Sequence, residues 1–195
     1  MYYAYHDGAA WRYEVPAYSS SEAALALDAD GHPHITYTHG PYVCPRPIWD
    51  EWCFAISYLA KDETGWHHET VFSEDEETHY AGTSTAIALD ASDEPHVLAL
   101  PPRNVAYAYR DAGGWHTETV HQSGEARSGG RSLAIAANGA AHAMWTSETP
   151  PDSASTFYAT RDATGWHVEP FPRAGNSFSL ALDADGAPVV AFRDA

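Results

Sequence analysis

Apolar and polar positions along this chain alternate in short runs broken by turn signals. The segment "LALDADGHPHITY" from Leu25 alternates large and small apolar residues, turns at Asp28-Ala-Asp-Gly, and resumes after Pro33 as a second strand. The same sentence recurs as "IALDASDEPHVLA" from Ile87, "LAIAANGAAHAMW" from Leu133 and "LALDADGAPVVAF" from Leu180. A second set predicts two further strands around a tight turn: "HDGAAWRYEV" from His6, "KDETGWHHETV" from Lys61, "RDAGGWHTETV" from Arg110 and "RDATGWHVEPF" from Arg161. In each copy a Tyr (Tyr3, Tyr58, Tyr107, Tyr158) stands four residues before an Asp (Asp7, Asp62, Asp111, Asp162). A Trp (Trp11, Trp66, Trp115, Trp166) follows that Asp at the same distance, and a Glu (Glu14, Glu69, Glu118, Glu169) comes three residues after the Trp.

Four-stranded antiparallel meanders repeated at this period predict an all-β protein, a four-bladed β-propeller in one domain spanning residues 1–195. The blades are expected at about 22–72, 84–121 and 131–171, with a fourth made of 177–195 plus 1–15. The Trp residues are 55, 49 and 51 residues apart, and 40 across the joined termini. That last spacing suits a bare blade closed by N- and C-terminal strands within a monomer. Such closure would cover two strand edges. The alternative is two chains exchanging ends.

The Asp62–Trp66, Asp111–Trp115 and Asp162–Trp166 turns are similar to the Asp-box turn, and the chain resembles propellers with Asp-box-related or lectin-like repeats. The resemblance extends over essentially the whole chain and implies the fold; function must come from a site.

Aromatic content of 13%, with seven Trp and twelve Tyr, supports strands over helices. A formal net charge of −17 gives the wrong sign for binding phosphate backbones or anionic lipid, so neither nucleic acid nor membrane is an expected partner. No apolar run approaches the roughly 20 residues of a spanning helix. The N-terminus carries no basic-then-apolar leader, which leaves a cytoplasmic location or secretion after processing open. Cys44 and Cys53 share one loop and are expected either as a local disulfide or as cytosolic thiols.

The repeated residues fall on one face and in the core, where turn formation and packing between blades account for them. His34, His96 and His142 occupy equal places on the second strand, with Val189 in the fourth copy; packing competes there with a three-imidazole metal site. His67, His116 and His167 follow the repeated Trp on the outermost strand.

The opposite face carries loops that do not repeat. Its insertion "THGPYVCPRPIWDEWC" from Thr38 to Cys53 suits a binding lid. The ligand-binding candidates on this face are Tyr42, Trp49, Trp52, Tyr80, Arg103, Arg127, Arg131 and Trp145. Aromatic walls with arginines suit a glycan or another small-molecule ligand, at one asymmetric site because the loops vary. An enzyme is the alternative, with catalytic candidates His39, His79, His121, Glu125 and Glu148. His39, His79 and His121 are also the candidates for holding a divalent metal ion as cofactor. A protein-interaction scaffold would use the same face.

Overall fold

A computed structural model describes residues 1–18, 20–43, 52–73, 84–100, 104–122, 130–149, 153–173 and 175–194. The chain is all-β. β1 (Tyr3–His6) and β2 (Trp11–Glu14) form a hairpin. The first four-stranded sheet follows: β3 (Ser20–Leu27), β4 (Pro33–Val43), β5 (Trp52–Asp62) and β6 (Gly65–Ser73). The second contains β7 (Ser84–Leu89), β8 (Pro95–Leu100), β9 (Asn104–Asp111) and β10 (Gly114–Gln122). The third contains β11 (Arg131–Ile135), β12 (Ala141–Thr149), β13 (Ser153–Asp162) and β14 (Gly165–Pro170). A second two-stranded sheet, β15 (Gly175–Leu182) with β16 (Pro188–Asp194), ends the described chain. Every pairing is antiparallel, as the turn signals predict.

The sheets pack in series through their first strands, β3 on β7, β7 on β11 and β11 on β15. Strand alternation divides β7 between two neighbours: Ile87 joins the core toward the first sheet, whereas Ala86 and Ala88 pack toward the third. The larger core cluster centres on Leu98, Val105, Tyr107, Leu133 and Trp145, and a second on Ile56, Tyr58, Val97 and Ala108.

Among the described residues the expected closure of a fourth blade is not seen. β16 and β1 belong to separate two-stranded sheets, and β15 makes no packing on β3 comparable to that between the other first strands. Trp11, expected in the core, is 60% exposed, because no sheet lies against its hairpin on that side. Among the described residues no helix is long and apolar enough to cross a membrane.

The turn between first and second strands is set by its leading side chain. Asp28 Oδ1 accepts from the amides of Asp30 and His32, Asp90 from Ser92 and Glu94, and Asp183 from Asp185 and Ala187. The residue before the last turn position is left-handed at Gly31, Gly139 and Gly186, and at Asp93 with φ 61°. Asp93 is therefore the one of the four with a side chain in a conformation that glycine adopts freely. Its carboxylate reaches the neighbouring turn and accepts from the Ala29 amide at 3.1 Å.

Candidate functional site

At the end of the molecule carrying the repeated turns, the repeated side chains bond one another. Asp62, Asp111 and Asp162 each accept backbone amides of their own turn. His67, His116 and His167 then reach back to those carboxylates at 2.9, 2.9 and 3.0 Å. In the first copy Arg12 replaces the histidine and meets Asp7 at 2.6 Å. The hydroxyl of Thr64 on Asp62, and that of Thr164 on Asp162, lead the causes that hold these carboxyls below the usual range.

Three of the repeated Glu side chains clamp one unit to the next. Glu14 accepts from Lys61 Nζ at 2.5 Å and Trp66 Nε1 at 2.7 Å. Glu69 accepts from Arg110 Nε at 3.2 Å and Trp115 Nε1 at 2.8 Å. Glu118 accepts from Arg161 Nε and Nη2 at 2.8 and 2.5 Å and from Trp166 Nε1 at 3.1 Å. The repeated Tyr supports each clamp, its ring meeting the same Trp edge-on at 5.3 Å for Tyr3–Trp66, 5.3 Å for Tyr58–Trp115 and 5.0 Å for Tyr107–Trp166. The Lys61 hydrogen bond on Glu14 and the Arg161 hydrogen bond on Glu118 lower those carboxyls. The signal was present in the sequence: a cation immediately before the turn Asp repeats along with the Glu.

His34, His96 and His142 are likewise engaged. Their Nδ1 atoms pair with the hydroxyls of Tyr58, Tyr107 and Tyr158 in the same sheet, at 2.5 Å in the first and 2.7 Å in the third. Burial lowers all three imidazoles and raises the three phenols. Each histidine thus serves its own sheet, and the three do not form a common metal site.

The end carrying the variable loops is organised around the first strands. Arg131 on β11 bonds Glu22 on β3 at 2.5 Å and donates through Nε to the Thr85 carbonyl at 3.1 Å. Thr85 in turn donates to Thr36 Oγ1 at 3.1 Å, and Ser132 Oγ accepts the Leu180 amide at 3.0 Å. These bonds tie all three four-stranded sheets and β15 together. Beside them lies an aromatic group. Trp145 and Phe157 stack at 5.6 Å, and His121 lies 5.3 Å from Phe157 and 6.0 Å from Trp145. Trp145 is fully buried and its Nε1 has no hydrogen-bond partner among the described residues, whereas His121 and Phe157 are half-buried.

Of the candidates named from the sequence, the structure places Arg131, Trp145, His121 and His39 with their side chains. Arg131 is ion-paired, Trp145 belongs to the core, and His121 flanks it. His39 sits in a separate ring cluster with Tyr37 and His68, at 6.2 and 6.4 Å. Tyr42, Trp52 and Glu148 are placed by backbone, on β4, β5 and β12. Trp49, His79, Tyr80, Arg103, Glu125, Arg127 and Cys44 lie outside the described residues. Among the described residues no group of three His, Cys, Asp or Glu is placed to hold a metal ion.

Two grooves open on the repeated-turn end, where sequence reasoning assigned only scaffold. One, of about 320 Å³, is lined by Tyr3, Tyr5, His32, Lys61, Asp62 and Glu63. The other, of about 340 Å³, lies in the third sheet along Asn138, Gly139, Arg161 and Asp162. The two occupy equivalent places in the repeat. In both, the clamp cation lies over a tyrosine: Lys61 Nζ is 5.8 Å from the Tyr5 ring centre, and the Arg161 guanidinium is 5.3 Å from that of Tyr109.

No family model matches the chain, and no curated protein matches it. Among solved structures it is similar to a fucose lectin from Kordia zhangzhouensis in complex with methyl-fucoside, at 14% identity and a TM-score of 0.49, covering 75% of this chain and 96% of the lectin. It is also similar to the polysaccharide lyase Uly1, at 11% identity and a TM-score of 0.48, covering 87% of this chain; it spans less than half, 46%, of the lyase.

Proposed function

We propose that this protein is a non-catalytic binding module for a glycan or another small polar ligand, taken at one asymmetric site on the variable-loop end. The observation that carries this reading is the division of labour between the two ends. Three Glu–Trp clamps and three Asp–His clasps of the turn end consume those repeated side chains in bonds to one another. The variable end instead presents the half-buried rings of His121 and Phe157 over a buried, unpartnered indole N–H. Aromatic faces beside a few fixed polar groups suit stacking on a sugar ring. Among the described residues His121 contacts the rings of Trp145 and Phe157, which suits a binding surface.

A second reading is favoured by the groove at Tyr5. Its ring is 38% exposed beside Lys61, Asp62 and His32, which would give a sugar an apolar face and charged hydrogen-bonding partners. A glycan-array screen of the protein, with and without chelator, followed by His121→Ala and Tyr5→Ala, separates the two. Loss of binding with His121→Ala supports the variable end, and loss with Tyr5→Ala transfers the site to the groove. Turnover of any bound glycan would replace both with an enzyme.

A further inference from the structure

Three clamps join successive units, and each needs a Glu from one unit and a Trp with a cation from the next. The same residues exist a fourth time without meeting. Glu169 on β14 is exposed and makes no hydrogen bond or ion pair among the described residues. Trp11 on β2 is 60% exposed, and among the described residues its ring contact is with His6, at 5.6 Å. His6 stands where Lys61, Arg110 and Arg161 stand in the other copies.

The strand edges are unmatched in the same way. β16 corresponds to the second strand of a sheet and β1 to the third. In the complete sheets these pair in one register: Ile35 faces Leu59, Val97 faces Ala108 and Ala143 faces Ala159. The corresponding pair is Val190 with Ala4, flanked by Val189 with Tyr5 and Ala191 with Tyr3. Apolar exposure is concentrated on these surfaces, with Tyr13 at 68%, Val189 at 55% and Phe192 at 41%. Leu25 and Leu27, 55% and 56% exposed on β3, form the face opposite the one turned to β7. The exposed face of β15, Ser179 and Ala181, carries the small side chains that would receive them.

We infer that this surface is an interface with a second copy of the chain. β1–β2 of one copy completes the sheet begun by β15–β16 of the other, Trp11 and His6 close on Glu169, and Leu25 and Leu27 pack on Ala181. The hairpin is held on its own first sheet by Glu14, and β15 on its own third sheet through Ser132 and Leu180. Within one chain β16 and β1 stand in separate two-stranded sheets and are not paired. Two copies related by a twofold axis satisfy both ends at once and cover the edges of β16 and β1.

Single-cysteine variants test the junction in a Cys44→Ser, Cys53→Ser background. Ala4→Cys chains mixed with Val190→Cys chains should cross-link to each other on oxidation, since directly opposed strand residues lie within disulfide range. Light scattering of the unmodified protein should give twice the 21.2 kDa chain mass, and Glu169→Lys should weaken association at least tenfold. A bond formed within one chain when Ala4→Cys and Val190→Cys are placed in the same chain, a monomeric mass, or a larger assembly would each overturn the inference, as would failure of the mixed variants to cross-link.

Discussion

Trp166 and Trp11 hold the same place in the repeat, yet their surroundings differ completely. Trp166 gives its N–H to Glu118, meets the edge of Tyr107 and joins the main core, whereas Trp11 is largely exposed with a histidine as its ring neighbour. The difference lies in what stands beside each hairpin: the second sheet presents Glu118 to Trp166, and among the described residues no sheet presents a Glu to Trp11. A repeat motif therefore specifies one half of a bond, and the neighbouring unit decides whether the bond exists.

The largest effect expected from this comparison is that of Trp166→Ala. Removing a packed indole and leaving Glu118 short of a donor should cost about 3 to 5 kcal/mol, read as a shift in the urea midpoint. A loss under about 1 kcal/mol would mean that the clamps are surface decoration.

Glu118→Ala should come next. It removes a carboxylate that accepts from both Arg161 and Trp166, at a cost of about 1 to 3 kcal/mol, toward the lower figure because the pair is partly exposed to solvent. Glu169→Ala, measured in protein dilute enough to be monomeric, should change stability by less than about 0.5 kcal/mol. Equal losses from the two substitutions would erase the distinction between made and unmade clamps.

Acid should act on the made clamps and the buried histidines in sequence. Burial holds His34, His96 and His142 below the ordinary 6.5, so their contribution is complete above that value and is lost as pH falls through their folded values. Glu14 and Glu118 are held below the ordinary 4.5 by Lys61 and Arg161, so their contribution is present above 4.5 and lost as pH falls further. Urea midpoints should be level above about pH 7, decline below 6.5 and fall more steeply below 4.5. His96→Gln should flatten the first decline while leaving the second; an unchanged first decline would remove His96 from the account.

The smallest effect belongs to Trp11→Ala in dilute monomer, under about 0.5 kcal/mol in the same urea titration. A loss as large as that from Trp166→Ala would show that Trp11 is already packed within its own chain.

The strands, their antiparallel order and the turns between them were legible because their causes are local. Period-two alternation sets strand faces, and an Asp two to four residues before the amides it caps sets the turn. The same local rule reaches the His67–Asp62 clasp, which joins residues five apart. The Glu118–Trp166 clamp was not legible from one copy, because its partners lie 48 residues apart and meet only after two sheets have stacked. Trp145 shows the same limit at the variable end. The sequence groups it with the variable-loop residues, but it lies in the middle of β12, where Phe157 and His121 close over it and the core takes it in. What the sequence by itself determined was the repeating unit, since its bonds are made within a few residues or between adjacent strands. Which copies of a repeated residue are bonded and which are left open was decided only by the tertiary structure, because burial and pairing between sheets depend on a neighbour that no single repeat contains.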